Sequence, residues 1–239
     1  MAEPTTTSVD TTAVVVGRAQ RPGTEPPCAD GMDVQRRGRA VCAAVVDGAG
    51  HSADVVRYAA LAPAVITHFG VVLGGLPGLM TAGQMGAAYD LPPHASAVVA
   101  FVEPGQPTSV HWIGDARAYG FDGTVLTLWS DDQTMGNWLR RNGGVAVELA
   151  EAHDNWARLG LAQASAATCR QVQVPEDVPV VILVSDGISD QISEETFTKL
   201  CRTHGKEPQV LADALVAAVQ PEDDCYRDDA TVVVLRRMI

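Results

Sequence analysis

The chain has 239 residues, of which 46% are hydrophobic, enough to fill a substantial core in one large domain or two small ones, and one domain is the preferred reading. Its 29 Asp and Glu outweigh 17 Lys and Arg for a net charge of −12, and no basic cluster interleaves with aromatics, which argues against nucleic acid as a partner. The five cysteines, Cys28, Cys42, Cys169, Cys201 and Cys225, show no Cys-x-x-Cys and no paired spacing, so neither a zinc site nor a disulfide framework is expected.

The first residues lack a positive n-region and an apolar h-region, so a cytoplasmic location is expected. Residues 1–12 are Thr-rich and polar, and they are expected to be disordered ahead of a single domain over 13–239. An apolar run at 13–16 reads as a strand, and the proline-rich 21–27 as a loop. A hairpin follows, with strands at 31–35 and 40–46 around a turn at 36–39.

Ser52 is a plausible N-cap for a mostly apolar helix running to about Phe69. Residues 58–80 contain no Asp, Glu, Lys or Arg, and their length would suffice to cross a bilayer. Pro63, His68 and several glycines interrupt them, so the reading is a core helix followed by a glycine-rich loop, not a membrane span. A weaker helix is expected at 80–89.

Strands are expected at 95–102 and 108–113, and Asp122-Gly123 marks a hairpin between 119–121 and 125–128. Residues 130–168 turn polar and irregular, with helical stretches near 135–141 and 146–152, too long for a plain connector; a mobile, flap-like insertion beside the site is expected. Strands resume at 169–174 and 178–184, the latter almost wholly Val, Ile and Leu, as a strand covered on both faces requires. Two helices follow, one started by Ser193-Glu194-Glu195 and one over 208–219, before a last strand at 231–235. The order lacks the alternation of a doubly wound sheet and suggests an α/β (α+β) fold: a four-layer α-β-β-α sandwich of two mostly antiparallel sheets flanked by helices.

Four aspartate segments stand at the ends of apolar runs: Asp47-Gly48, Gly114-Asp115-Ala116-Arg117, Ser185-Asp186-Gly187 and Asp228-Asp229. Asp47, Asp115 and Asp186 leave their strands at the C-terminal end, whereas Asp228 precedes its strand, so antiparallel pairing can bring all four to one rim. Crowded carboxylates repel and raise one another's pKa unless cations neutralise them, and such an oxygen-rich pocket suits hard divalent ions. Two such ions turn a bridging water into a hydroxide and hold phosphoryl oxygens, which is machinery for phosphate-ester hydrolysis.

In the order and spacing of these segments the chain resembles the metal-dependent protein serine/threonine phosphatases of type 2C, the PPM family in its bacterial form, over about 14–236. The resemblance implies hydrolysis of phosphoserine or phosphothreonine by direct attack of a metal-activated water, without a phosphoenzyme. It implies two Mg²⁺ or Mn²⁺ ions held by Asp47, the Gly48 carbonyl, Asp186 and Asp228, with Asp115 helping to hold a third. It makes Asp47, Asp186 and Asp228 the catalytic set and Asp131-Asp132 the start of the flap.

The family's early acidic pair finds its counterpart in Ala29-Asp30, which adds Asp30 to the metal set, with Asp33 less well placed. Glu25 stands where the family places a phosphate-binding Arg, leaving Arg18 or Arg21 as substitutes. The glycine run is shortened to Gly48-Ala49-Gly50-His51, so the family's histidine acid is missing at position 49 and His51 reads as a helix-start residue. No Cys-x5-Arg is present, against a cysteine nucleophile. The expected partner is a phosphoprotein, with no membrane and a monomeric state. The alternatives are a non-catalytic phosphatase-like regulator in signalling and a specialised phosphatase of a stress-response phosphoprotein such as an anti-sigma antagonist.

Overall fold

The computed structural model describes residues 14–221 and 226–238, so the expected disorder of 1–12, the residue Ala13 and Cys225 lie outside the described residues. Ten strands form two five-stranded sheets in which every pairing is antiparallel. One sheet has the order β1 (Val14–Arg21), β10 (Ala230–Arg237), β9 (Val180–Val184), β6 (Arg117–Phe121), β7 (Leu126–Leu128). The other has the order β2 (Asp30–Arg37), β3 (Ala40–Gly48), β4 (Ala95–Val102), β5 (Thr108–Ile113), β8 (Arg170–Val174).

The period-2 alternation of the central strands explains the layering. In β3, Val41, Ala43 and Val45 face the other sheet and meet Leu183, Val233 and Leu235 in an inter-sheet core. Cys42, Ala44 and Val46 face outward and are covered by Tyr58, Ala62 and Ile66 of helix α1 (Ala53–Leu73). On the far side, Ile182, Val184, Val232 and Val234 pack under helices α6 (Glu194–His204) and α7 (Pro208–Ala218), through Phe197, Leu211 and Leu215. The expected four-layer α-β-β-α sandwich is the observed one. Each strand buried on both faces is apolar at nearly every position because neither face reaches water.

Helix α1 starts where Ser52 accepts a hydrogen bond from the Val55 N–H, as its capping role requires. By length and composition it could cross a bilayer, but its buried face is the one that covers β2 and β3. The glycine-rich segment after it is not a loop. It forms helix α2 (Gly75–Ala87), five residues earlier than the weak periodicity at 80–89 implied. Packing overrides propensity here: Gly78 lies against the Ile66 carbonyl, where a Cβ would approach to 2.4 Å, so the small residues let the two helices close on each other.

Strands at 95–102 and 108–113 lie where expected, and β1 is longer than expected, taking in Arg21. The polar stretch 130–168 contains α3 (Met135–Asn142), α4 (Val147–Glu151) and a 3-10 turn, Leu161–Gln163. Sequence reading passed over α5 (Asp186–Ser189), a single turn between β9 and α6.

Candidate active site

The loops at one rim of the sandwich bring the aspartates together. At the edge of the β2-β3-β4-β5-β8 sheet, Asp30 opens β2 directly opposite Asp47 near the end of β3, and Asp47 in turn pairs with Ser96 on β4. Strand β5 ends at Ile113, and the chain then turns through Gly114, whose φ of 89° suits glycine and whose Cβ would lie 2.0 Å from the Ser96 hydroxyl. That turn is pinned by Gln133, which accepts from the Gly114 N–H at 2.9 Å and donates its own N–H to the Gly114 carbonyl at 2.9 Å. Asp115 follows; its carboxylate accepts from Ser96 Oγ, and its N–H donates to the same oxygen at 3.2 Å.

The other sheet supplies Asp186 and Asp228 to the same rim. Asp186 begins α5 just past β9, and its N–H donates to Asp47 Oδ2 at 3.3 Å, a contact that joins the two sheets. Gly187 is required by close approach, because a Cβ there would sit 2.1 Å from the Asp229 carbonyl. Asp228 accepts from the Asp229 N–H at 2.8 Å, and its own N–H donates to Gln191 Oε1 at 3.1 Å. Asp229 is buried at the cavity wall, accepting from the Gly23 N–H at 2.5 Å and the Ala29 N–H at 2.7 Å. It is a supporting neighbour that fixes the loop leading into Asp30.

Asp30, Asp47, Asp115, Asp186 and Asp228 line one cavity of about 580 Å³, together with Gly48, Glu25, His51, His94, Asn155, Trp156 and Tyr226. No Lys or Arg is among its lining residues. Burial pushes the carboxyls of Asp30, Asp47 and Asp186 well above the usual carboxylate range, and their neighbours push further: Asp30 and Asp115 raise Asp47, and Asp47, Asp115 and Asp228 raise Asp186. Burial also raises Asp115 and Asp228. Asp30 Oδ2 is buried without a hydrogen-bond partner. A group of desolvated carboxylates, with one oxygen orphaned and no Lys or Arg in the cavity wall, fits hard divalent cations in chemistry and charge. Among the described residues no three acidic, His or Cys side chains close into a ready-made ligand shell; the carboxylates are spread around the cavity wall.

Several expectations are corrected. Neither Arg18 nor Arg21 lines the cavity. Arg21 turns to the end of α7 and donates to the carbonyls of Val216 and Val219 at 3.3 and 3.2 Å, where a helix end leaves acceptors open. The Arg18 N–H and carbonyl bond to Gln209, on the same side. Glu25, at the family's arginine position, lines the cavity, and so the phosphate-binding arginine has no counterpart in its wall. Asp33 accepts from Thr67 of α1 and stays outside.

His51 sits at the helix start as expected; its Nδ1 contacts the Pro27 carbonyl at 2.9 Å and its Nε2 lies 3.7 Å from Glu25. Arg117 does not pair with Asp115. It forks onto Asp132, at 3.0 Å from Nε to Oδ1 and 2.6 Å from Nη2 to Oδ2, and reaches Asp190 at 2.6 Å, tying the start of the 130–168 segment to the turn after α5.

Sequence reading missed four wall residues. Tyr226 hydrogen-bonds the Asp228 carboxylate, and Asn155 and Trp156 bring the 130–168 segment to the lip. His94, immediately before β4, lines the cavity with its Nε2 buried and unpartnered, its carbonyl accepting from the Ala49 N–H at 3.0 Å. The available signal was a lone imidazole at the mouth of an apolar strand.

This constellation has known counterparts. The family model described as Stage II sporulation protein E (SpoIIE) matches residues 121–238, the part that carries Asp186 and Asp228. Solved structures cover nearly the whole chain. The serine/threonine phosphatase of Staphylococcus aureus matches with a TM-score of 0.74 at 15% identity over 94% of this chain and 95% of that one. That of S. agalactiae matches at 0.75 and 13% over 93% and 99%. The PstP/Ppp phosphatase of Mycobacterium tuberculosis matches at 0.69 and 21% over 93% and 98%. The chain has the fold of these bacterial serine/threonine phosphatases. No curated protein matches it significantly.

Proposed function

We propose that this chain is a phosphatase of the PPM family that hydrolyses phosphoserine or phosphothreonine in a phosphoprotein, by in-line attack of water on phosphorus without a phosphoenzyme. The observation that carries the reading is the convergence of five aspartates from both sheets on one cavity whose wall holds no Lys or Arg. Asp47, Asp186 and Asp228 would hold two Mg²⁺ or Mn²⁺ ions with the Gly48 carbonyl, Asp30 lies behind Asp47, and Asp115 stands where a third ion would be supported. When bound, such ions acidify water and draw charge from the phosphoryl oxygens.

The chain's own residues do the rest. Asp47 is held in place by the Asp186 N–H, so the two sheets cannot part without moving the site. Ser96 fixes one edge of Asp115, and Tyr226 fixes Asp228. With no arginine in the wall, phosphate charge is left to the cations and to the imidazoles, and the leaving serine or threonine oxygen needs a proton. His51 is engaged by Pro27 and Glu25, which leaves His94 as the imidazole free to supply it.

Mn²⁺-dependent turnover of a phosphopeptide and of an aryl phosphate is the test. Folded protein that leaves both at background would sink the enzyme reading.

The missing arginine favours one competing reading, a phosphatase-like regulator that binds without turnover. Calorimetry separates the two: no divalent-metal binding, or metal affinity unchanged in Asp186→Ala, favours the regulator. The likeness of residues 121–238 to the sporulation protein model favours, within the enzyme reading, a specialised phosphatase of a stress-response phosphoprotein such as an anti-sigma antagonist, tested by offering such phosphoproteins.

A further inference from the structure

A second cavity, of about 420 Å³, lies at the opposite end of β9 and β10. It is bordered by Val180 at the start of β9 and by Arg236 and Arg237 at the end of β10, whereas the aspartates stand at the other ends of both strands. Six residues of extended chain, about 20 Å, separate Val180 from Asp186. Its lining includes Arg202, Lys206, Arg236 and Arg237 and no Asp or Glu, in a chain whose net charge is −12.

The three arginines are oriented by neutral acceptors rather than by carboxylates. Arg202 directs Nε and Nη2 to the Thr124 carbonyl at 3.2 and 3.1 Å, and Arg236 Nη1 donates to the Lys206 carbonyl at 3.0 Å. Arg237 is 7% exposed; Nη1 donates to the Glu176 carbonyl at 3.1 Å, Nη2 reaches Thr108 Oγ1, and Nε is buried with no partner at all. None of the four takes part in an ion pair among the described residues. Arg202 and Lys206 are exposed and Arg236 is half-buried, while the buried Arg237 has Glu176 as its charged neighbour, so an anion entering here would gain charge-assisted bonds from the accessible cations. The remaining wall is Phe121, Pro179, Val180 and Cys201, with two glycines and Thr203.

We propose that this cavity is a binding site for a small organic phosphate of nucleotide size, its phosphates on Arg202, Arg236 and Lys206 and its flat apolar body against Phe121 and Pro179. The volume falls in the range of about 300 to 1,000 Å³ typical of small-molecule sites, and the guanidinium fork matches phosphate geometry. The overall negative charge repels anions, so binding at this end has to come from the local cations. The inference does not depend on the phosphatase reading.

The test is calorimetry on the full chain stripped with EDTA, so that the aspartate cavity carries only negative charge and cannot hold the probe. ADP is expected to bind with one site, tripolyphosphate more weakly, and the double variant Arg202→Gln, Arg236→Gln to lose at least tenfold in ADP affinity while keeping the wild-type circular dichroism and melting profile. Arg237 is left intact because its burial makes a folding defect the expected result of changing it. Absence of ADP binding, or undiminished binding in the folded double variant, overturns the site. Tripolyphosphate binding as tightly as ADP overturns the role of the apolar wall, and capture of an acidic peptide in preference to ADP would make the cavity a protein-docking surface instead.

Discussion

At one end of β9 and β10 the chain gathers Asp186 and Asp228 beside Asp47, Asp115 and Asp30; at the other, the same two strands border Arg202, Lys206, Arg236 and Arg237. Between them the strands are uniformly apolar and interchangeable in character. The ends differ in how their charges are satisfied. The carboxylates crowd one another and leave an oxygen orphaned, so they call for cations from solution. The arginines are spaced out and tethered to carbonyls, so the fold tolerates them as they stand and leaves spare donors. A sandwich can therefore offer two opposite chemistries from one pair of strands, because strand ends are free of the packing that fixes their middles.

Exchanging one carboxylate is the harshest way to probe the contrast. Asp186→Asn should cut Mn²⁺-dependent hydrolysis of an aryl phosphate by about 100-fold or more, in line with the loss of a central electrostatic contributor. The same variant relieves repulsion, so when stripped of metal it should melt no lower than wild type at pH 8. Lower melting of the stripped variant would show that the aspartates are not straining one another.

His94→Gln should come next, lowering turnover of a phosphoserine peptide by about 100-fold while sparing an aryl phosphate, whose leaving group needs no proton. Equal losses on both substrates would remove His94 from proton delivery.

The pH dependence has a definite sign. Asp30, Asp47 and Asp186 have folded pKa values raised above the unfolded value of about 4, so they contribute stability that is fully present below that value and is lost as pH rises through their folded values. Metal-free protein should thus lose melting temperature from about pH 4 upward, and Mn²⁺ at 100 times its dissociation constant should return about 2.7 kcal/mol at neutral pH. A melting temperature that climbs with pH without metal would contradict this.

A smaller effect is expected of Gly187→Ala, whose new Cβ would collide with the Asp229 carbonyl, costing about 1 to 3 kcal/mol in denaturant unfolding. Arg117→Lys, which gives up the fork onto Asp132, should cost only about 1 kcal/mol. If it instead abolished activity, the Arg117 contacts would belong to the chemistry rather than to the anchoring of 130–168.

Much of this was legible in the chain and some was not, for physical reasons. The strands at 95–102 and 180–184 announced themselves because burial on both faces demands nearly unbroken apolar residues. The rim of aspartates followed from where those runs stop. Helix α2 was hidden because its glycines serve contact with α1, which no local pattern records. Turn α5 is too short to show a period. The substitute arginine was misjudged because the direction of Arg21 depends on the register of β1 against β10, which turns it to α7. His94 gave only a weak local hint, since its place beside the cavity is set by the pairing of β3 with β4 and by Gly160, whose Cβ would press on the imidazole at 2.8 Å.

Asp229 holds the amides of Gly23 and Ala29 from 206 and 200 residues away, and β1 finds its only sheet partner in β10. The loop that presents Asp30 therefore depends on a residue next to β10 for its shape. The cavity is thus closed by segments about 200 residues apart, and a chain cut between them would lose one wall of the site.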